Sequence, residues 1–202
     1  MTTLEIPAAL RRFAPARLEG EPWRNGGGTT RTVATGDATA SGEWAWRVSV
    51  ADITQDGEFS IFPGVDRHLA LIDGAGIVLH GDAQRLRVAR IGEVVSFGGE
   101  HALYARLIDG PVRVWNLMVA RDTRTGGVHE HDGSPTRLAH PNGLVRFVTV
   151  VAGNYRLRGP GIGETRLGAG EVVRLDDPTG DIQLRAADDR AIALISDIRP
   201  LE

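Results

Sequence analysis

An all-β fold made of two β-barrel or jelly-roll units in tandem is what this sequence predicts, and three observations carry the prediction. Brief runs of alternating or β-branched residues are punctuated throughout by Gly, Pro and Asp, with 26 glycines in 202 residues, which is the rhythm of strands and turns. A single shift of 78 residues lays strand pattern on strand pattern and turn glycine on turn glycine, suggesting two copies of one unit. Barrel closure or double-sheet packing is the natural way for so many short strands to avoid exposed edges.

Composition bounds the function. An apolar share of 42% over 202 residues is enough to bury a core in one large or two small domains. The absence of Cys excludes disulfides, thiolate nucleophiles and iron–sulfur clusters. All 23 basic residues are Arg, so Schiff-base chemistry and internal pyridoxal attachment are ruled out. A formal charge of -3 with interspersed signs argues against a nucleic-acid partner. No run has the apolar length of a signal peptide or a membrane span, so the expectation is a cytoplasmic protein with no membrane partner.

Taken in order, Leu4 to Leu10 fits one short helical turn. Pro22-Trp23-Arg24-Asn25-Gly26-Gly27-Gly28-Thr29-Thr30-Arg31 follows, a glycine run flanked by forked cations, an amide and hydroxyls; it reads either as a hairpin or as an anion-binding loop. It is neither a P-loop nor a dinucleotide fingerprint. Trp44 to Asp52 alternates: Trp44, Trp46, Val48 and Val50 share one face, and Ala45, Arg47, Ser49 and Ala51 the other. The first face reads as core; the second is a solvent face on an open strand or a binding surface inside a barrel. In the segment from Asp56 to Arg67, Pro63-Gly64 fits the centre of a type II turn, and Asp66 beside Arg67 suggests a local ion pair.

Strands are then expected at His68 to Asp73, Gly76 to His80, Gln84 to Val88, Glu93 to Phe97, Leu103 to Leu107 and Val112 to Val119. Arg121 to Pro135, rich in Thr, Gly, Asp and His, reads as a linker or exposed loop. Beyond it the pattern resumes at Leu144 to Ala152, Asn154 to Arg158, Glu171 to Leu175, Asp181 to Arg185 and Ala191 to Ile195. The organisation expected is an N-terminal unit over 1–120, a linker over 121–143 and a C-terminal unit over 144–202, which N-terminal strands could complete, the whole forming one body. The offset of 78 places His68 to Ile72 on Arg146 to Val150, Gly81 on Gly159, Gly92 to Val95 on Gly170 to Val173 and Val114 to Leu117 on Ile192 to Ile195.

Four ordered motifs resemble the HutD/Ves family of bicupin proteins: Trp23 to Arg31, Trp46-Arg47-Val48-Ser49-Val50-Ala51, Asp56 to Arg67, and Gly110-Pro111-Val112-Arg113 leading to Asn116-Leu117-Met118. The resemblance implies a two-cupin fold, association with histidine utilisation, no established reaction, and a role in sensing or buffering a small metabolite such as urocanate or N-formylglutamate.

The chemistry narrows in the same direction. The spacing His129-Glu130-His131 could ligate a metal, with His140 the nearest third ligand, but it falls in the expected linker; neither metal nor other cofactor is expected. No Ser sits in a nucleophile elbow. What remains is a set of anion-complementary groups: Arg24, Asn25, Gly27 and its neighbouring N–H groups, Thr30, Arg31, Arg47, Ser49 and Arg67. In this reading Arg47 and Arg31 clamp a carboxylate, Asn25 and Thr30 read polar groups, and Trp23 and Phe62 wall the pocket. Each of these residues has a competing role in holding the barrel closed. Three classes stay open: a carboxylate-binding regulator or buffer without chemistry, a cupin isomerase or lyase on a carboxylate or sugar acid that is metal-dependent or, with Asp52, Asp56 or Asp66 as proton carrier, metal-free, and a structural or interaction protein. A homodimer through sheet edges is a further expectation.

Overall fold

The computed structural model describes residues 10–38, 44–82, 84–176 and 180–201. Its first half contains β1 (Leu10–Phe13), β2 (Glu21–Pro22), β3 (Gly28–Ala38), β4 (Trp44–Ile53), β5 (Gly57–Glu58), β6 (Val65–Asp73), β7 (Ile77–His80), β8 (Arg85–Val88), β9 (Val94–Gly98), β10 (Tyr104–Leu107) and β11 (Val112–Ala120). The second contains β12 (Arg124–His131), β13 (Thr136–Leu138), β14 (Val145–Ala152), β15 (Asn154–Gly159), β16 (Gly163–Gly168), β17 (Val172–Asp176), β18 (Ile182–Ala186) and β19 (Ile192–Pro200). One 3-10 turn, Pro15–Arg17, is the only helical element among the described residues. No helix there is long and apolar enough to cross a membrane. The helical turn expected at Leu4 to Leu10 lies outside the described residues except at Leu10, which opens a strand.

The strands form four antiparallel sheets. A six-stranded sheet, β2-β3-β4-β11-β6-β9, faces a four-stranded one, β5-β10-β7-β8; a five-stranded sheet, β1-β17-β14-β19-β12, faces another four-stranded one, β13-β18-β15-β16. The order β4-β11-β6-β9 in the first half corresponds to β12-β19-β14-β17 in the second, and β5-β10-β7-β8 to β13-β18-β15-β16. Strand β1 crosses over to pair with β17, so the N-terminal segment completes a sheet of the other half.

Period-2 alternation buries both faces of the large sheets. Trp46, Val48, Val50, Trp115 and Leu117 point out of the first half and pack on Phe147, Val172, Leu194 and Ile198 of the second. Phe147 takes Trp46 and Trp115 edge to face, at 5.7 and 6.4 Å between ring centroids. The buried Trp115 Nε1–H donates to Ser196 Oγ at 3.0 Å, satisfying the one polar atom the indole brings inside. The opposite faces close each half on its own small sheet, around Leu69, Leu71 and Leu79 in the first and Tyr155, Leu157 and Leu184 in the second.

Two expectations need correction. Arg121 to Pro135 is not a linker: β12 pairs with β19 along its whole length, and only three residues separate it from β11. Gly126 is the deceptive signal, because it serves close approach rather than a turn: a Cβ there would meet Val119 Cγ2 at 2.8 Å, where β12 crosses the first half, and only Gly133, at φ 85°, stands in the bend after β12. The repeat register also shifts by one on some strands. The Gly92 and Gly170 turns do match at 78, with Gly92 N–H donating to Leu71 O and Gly170 N–H to Val150 O, each at 2.8 Å. Those acceptors are already 79 apart, because the chain from β6 to β9 is one residue longer than that from β14 to β17. Arg146 therefore corresponds to Arg67, not His68.

Phe147→Ala should cost about 3–5 kcal/mol in urea unfolding, since it empties the contact between the halves. His68 and His131 give a second expectation. Burial pushes both imidazoles below their ordinary value, against the opposing pull of Asp66 on His68 and Asp132 on His131. The fold thus holds them neutral, and the unfolded chain takes up protons first. Stability from this source is intact above about pH 6.5 and is lost as pH falls below it. Replacing both by Gln should flatten the pH dependence of the urea midpoint between about pH 7 and about pH 5.

Candidate functional site

The glycine run closes the hairpin between β2 and β3. Trp23 N–H donates to Gly28 O at 2.9 Å and Gly26 N–H to Trp23 O at 3.0 Å, with Gly26 at φ 71°. Asn25 Oδ1 accepts from Gly27 N–H at 3.0 Å, and its Nδ2 donates to Glu58 O at 3.4 Å, tying the turn to β5. Gly28 cannot carry a side chain, because a Cβ would stand 2.5 Å from Asp52 O and 3.1 Å from the Trp23 ring. The N–H of Gly27 is thus spent within the turn, and Gly27 does not line the cavity described next.

That cavity, of about 760 Å³, opens inside the first half, and eight of the ten expected site residues line it: Trp23, Arg24, Asn25, Thr30, Arg47, Ser49, Phe62 and Arg67. Strand pairing brings the central ones together. Arg47 on β4 and Arg67 on β6 both lie opposite Met118 on β11, and Phe97 lies opposite Arg67 on β9, so the four form one row across the sheet. One step deeper Ser49 lies opposite Asn116, which faces Leu69 in turn. The second face of the Trp44 to Asp52 alternation is thus the cavity wall.

Arg31 belongs elsewhere. It lies opposite Val50, on the face turned away from the cavity, and pairs with Asp52, which also holds Arg113 Nε at 2.6 Å. One residue of register separates it from Thr30, which does reach the cavity and accepts a 2.8 Å hydrogen bond from Trp23 Nε1–H. Asp66 does not pair with its neighbour Arg67; it binds Arg121 at 2.7 Å while Arg67 turns inward. Asp56 caps Leu107 N–H at 2.8 Å. None of Asp52, Asp56 and Asp66 lines the cavity; its acids are the exposed Glu21 and Glu58 at the rim. Pro63-Gly64 makes its expected turn, with Gly64 at φ 75° and Val65 N–H bonded to Phe62 O at 3.3 Å.

The interior charge is unbalanced. Arg67 is 8% exposed, and its guanidinium lies 5.0 Å from the ring centroid of Phe97, 5.1 Å from Phe59 and 5.5 Å from Phe62. Arg67 Nη1 donates to Ser60 O at 3.1 Å, but the buried Nε has no partner among the described residues. Arg47 stacks on Trp44 at 5.2 Å and Phe62 at 5.6 Å, with Nη2 3.2 Å from Met118 Sδ, and its Nε too is buried without a partner. Neither makes an ion pair with a described residue. Burial, and secondarily the charge of Arg47, pushes Arg67 down to about 10; burial also lowers Arg47, opposed by Glu21. Phe59, Asn116 and Met118 join the lining beyond the residues the sequence points to; Asn116 and Met118 alternate along Asn116-Leu117-Met118, and their facing becomes visible once β11 is paired with β4.

The histidines are dispersed by comparison. His131 is buried, with Nδ1 accepting from Gly133 N–H at 3.1 Å, whereas His129 is exposed and His140 Nε2 bonds Leu144 O at 2.8 Å. Among the described residues no three His, Asp or Glu side chains are grouped as a metal would require.

Asn25→Ala should cost about 1 kcal/mol in urea unfolding by releasing the Gly27 N–H and the link to β5. Gly28→Ala should cost more, because backbone rather than a side-chain tip blocks its Cβ.

Comparison with known proteins agrees with this architecture. The HutD family matches residues 16–194. Protein Ves of Cronobacter sakazakii is 33% identical over 136 residues, covering 67% of this chain and 72% of its own. HutD from Pseudomonas fluorescens SBW25 superposes with a TM-score of 0.82 at 26% identity, over 96% of this chain and 100% of that one. A cupin 2 conserved barrel domain protein from Leptotrichia buccalis shares the fold at 10% identity, with a TM-score of 0.58 over 95% of this chain and 96% of that one. With a cupin-like all-β fold and a family match spanning most of its length, this chain belongs to the HutD family.

Proposed function

We propose that this protein binds a small carboxylate in the cavity of its first half and holds it without chemistry, as a sensor or buffer. The observation that carries the reading is the pair of buried Arg67 and half-buried Arg47, stacked on aromatic rings with buried, unpartnered Nε–H groups and no ion-pair partner among the described residues. Burying an uncompensated cation is costly, and a bound carboxylate offsets that cost through charge-assisted hydrogen bonds. Ser49 and Asn116 offer neutral polar groups to the rest of such a ligand, and Trp23, Phe59 and Phe62 offer apolar walls. A volume of about 760 Å³ lies within the range of small-molecule sites and leaves ample room for a small carboxylate. The cavity acids, Glu21 and Glu58, are exposed at the rim and, although the charge of Glu21 is felt at Arg47, neither forms an ion pair with Arg47 or Arg67, which favours binding over proton transfer.

Family membership directs the choice of ligands to urocanate and N-formylglutamate, with histidine and glutamate alongside. In a thermal-shift titration, the true ligand at 100 times its dissociation constant should add about 2.7 kcal/mol of stability. Arg47→Ala should abolish the shift, and the ligand should be recovered unaltered. Turnover of a bound carboxylate would assign an enzyme instead, and no shift with any of them would overturn carboxylate binding.

A further inference from the structure

The second half contains the same guanidinium in a closed state. Arg146 corresponds to Arg67: it lies opposite Leu175 on β17 as Arg67 lies opposite Phe97 on β9, and opposite Asp197 on β19 as Arg67 lies opposite Met118 on β11. Even the anchoring hydrogen bond repeats. Arg146 Nη1 donates to Ala139 O at 2.8 Å, and Arg67 Nη1 donates to Ser60 O at 3.1 Å, each acceptor seven residues before its arginine. The difference lies on the other edge of the fork. Arg146 Nε and Nη2 grip the two oxygens of Asp197 at 2.6 and 2.7 Å, the arginine buried and the aspartate partly so, with the exposed Arg199 Nη2 reaching the same carboxylate at 3.3 Å. In the first half the residue in the place of Asp197 is Met118, which cannot accept two such bonds, and the matching Arg67 Nε is left unpartnered. The position of Arg47 is taken in the second half by Gly127, so there the row carries one cation and one anion, whereas in the first it carries two cations.

We propose that Met118 is the residue that makes the first half a carboxylate site: by withholding the internal counter-ion that Asp197 supplies in the second half, it reserves the Nε/Nη2 edge of Arg67 for a ligand carboxylate. This inference rests on the carboxylate-binding reading above and adds the ligand's pose. The carboxylate sits over Met118, forked on Arg67, with Arg47 closing from the neighbouring strand and the ligand body extending toward Ser49, Asn116 and the aromatic wall. The site in the second half is self-neutralised and takes no anion.

The test follows unfolding temperature in sodium acetate against sodium chloride at matched ionic strength, for the wild type, Met118→Asp, Met118→Leu and Arg67→Met. The wild type and Met118→Leu should be raised selectively by acetate. Met118→Asp should unfold at a higher temperature than the wild type in chloride, because its carboxylate pairs with Arg67, and should bind acetate weaker by roughly tenfold or more. Should Met118→Asp fail to fold, Arg67→Met still decides: it should remain folded, gain stability in chloride by removing a buried unpaired cation, and lose the acetate response. A wild type that responds neither to acetate nor to the metabolite carboxylates overturns carboxylate binding itself. A wild type that responds, together with a Met118→Asp or Arg67→Met variant that responds equally, overturns only the role given to Met118 and the Arg67 edge.

Discussion

A sheet buried on both faces governs this molecule. Strands β4, β11 and β6 present Trp46, Val48, Trp115 and Leu117 to the other half and Arg47, Ser49, Asn116, Met118 and Arg67 to the cavity. The two sets are inseparable, because successive side chains on a strand point to opposite faces. A slip of one residue would drive Trp46 into the cavity and Arg47 between the halves. Seating Trp46 and Trp115 against Phe147, with the Trp115 indole bonded to Ser196, therefore also fixes where the guanidiniums stand. The polar groups at the centre of the site, Arg47, Ser49, Asn116 and Arg67, stand on central strands, which holds their geometry firmly, while Trp23, Arg24, Asn25 and Phe62 come from the connections between strands.

On this scaffold the two halves differ in charge rather than in architecture. Strand order, the glycine turns at Gly92 and Gly170, and the backbone anchor of the buried arginine all repeat. In the second half Arg146 is neutralised by Asp197, and the barrel core is filled by residues such as Tyr155 and Leu157. In the first, two cations rely on aromatic faces for partial compensation, while the acids stand at the rim. Fold similarity to cupins says nothing about this asymmetry; it resides in single side chains at matched register positions.

Much of the fold was legible in the chain because alternation and turn glycines report strand and turn directly. The strand expected at Trp44 to Asp52 is observed at Trp44–Ile53, and that expected at Glu93 to Phe97 at Val94–Gly98. Strands β3 and β12 escaped notice for one physical reason: their glycines make room for a neighbour, Gly36 for the Trp46 indole and Gly126 for Val119, and close approach is a tertiary property. The site divides in the same way. Arg47 and Ser49 were visible as the polar face of an amphipathic strand. The facing of Arg31 depends on a one-residue register that composition does not encode, and the Gly26 and Gly27 N–H groups find their partners, Trp23 O and Asn25 Oδ1, only within the turn. Met118 looks like core in the sequence, and its meaning emerges only beside Asp197 in the matching row.

Carboxylate binding, as proposed, engages the Nε–H groups of Arg47 and Arg67, which are buried without a partner among the described residues. The most direct measurement is a 15N–1H spectrum of the arginine Nε–H groups, assigned by substitution and titrated with the carboxylate that stabilises the protein. The Arg47 and Arg67 resonances should shift together and saturate with the binding curve, while that of Arg146, already paired with Asp197, stays in place. Saturable binding that leaves the Arg47 and Arg67 resonances unmoved would place the carboxylate elsewhere and overturn the role of the two arginines.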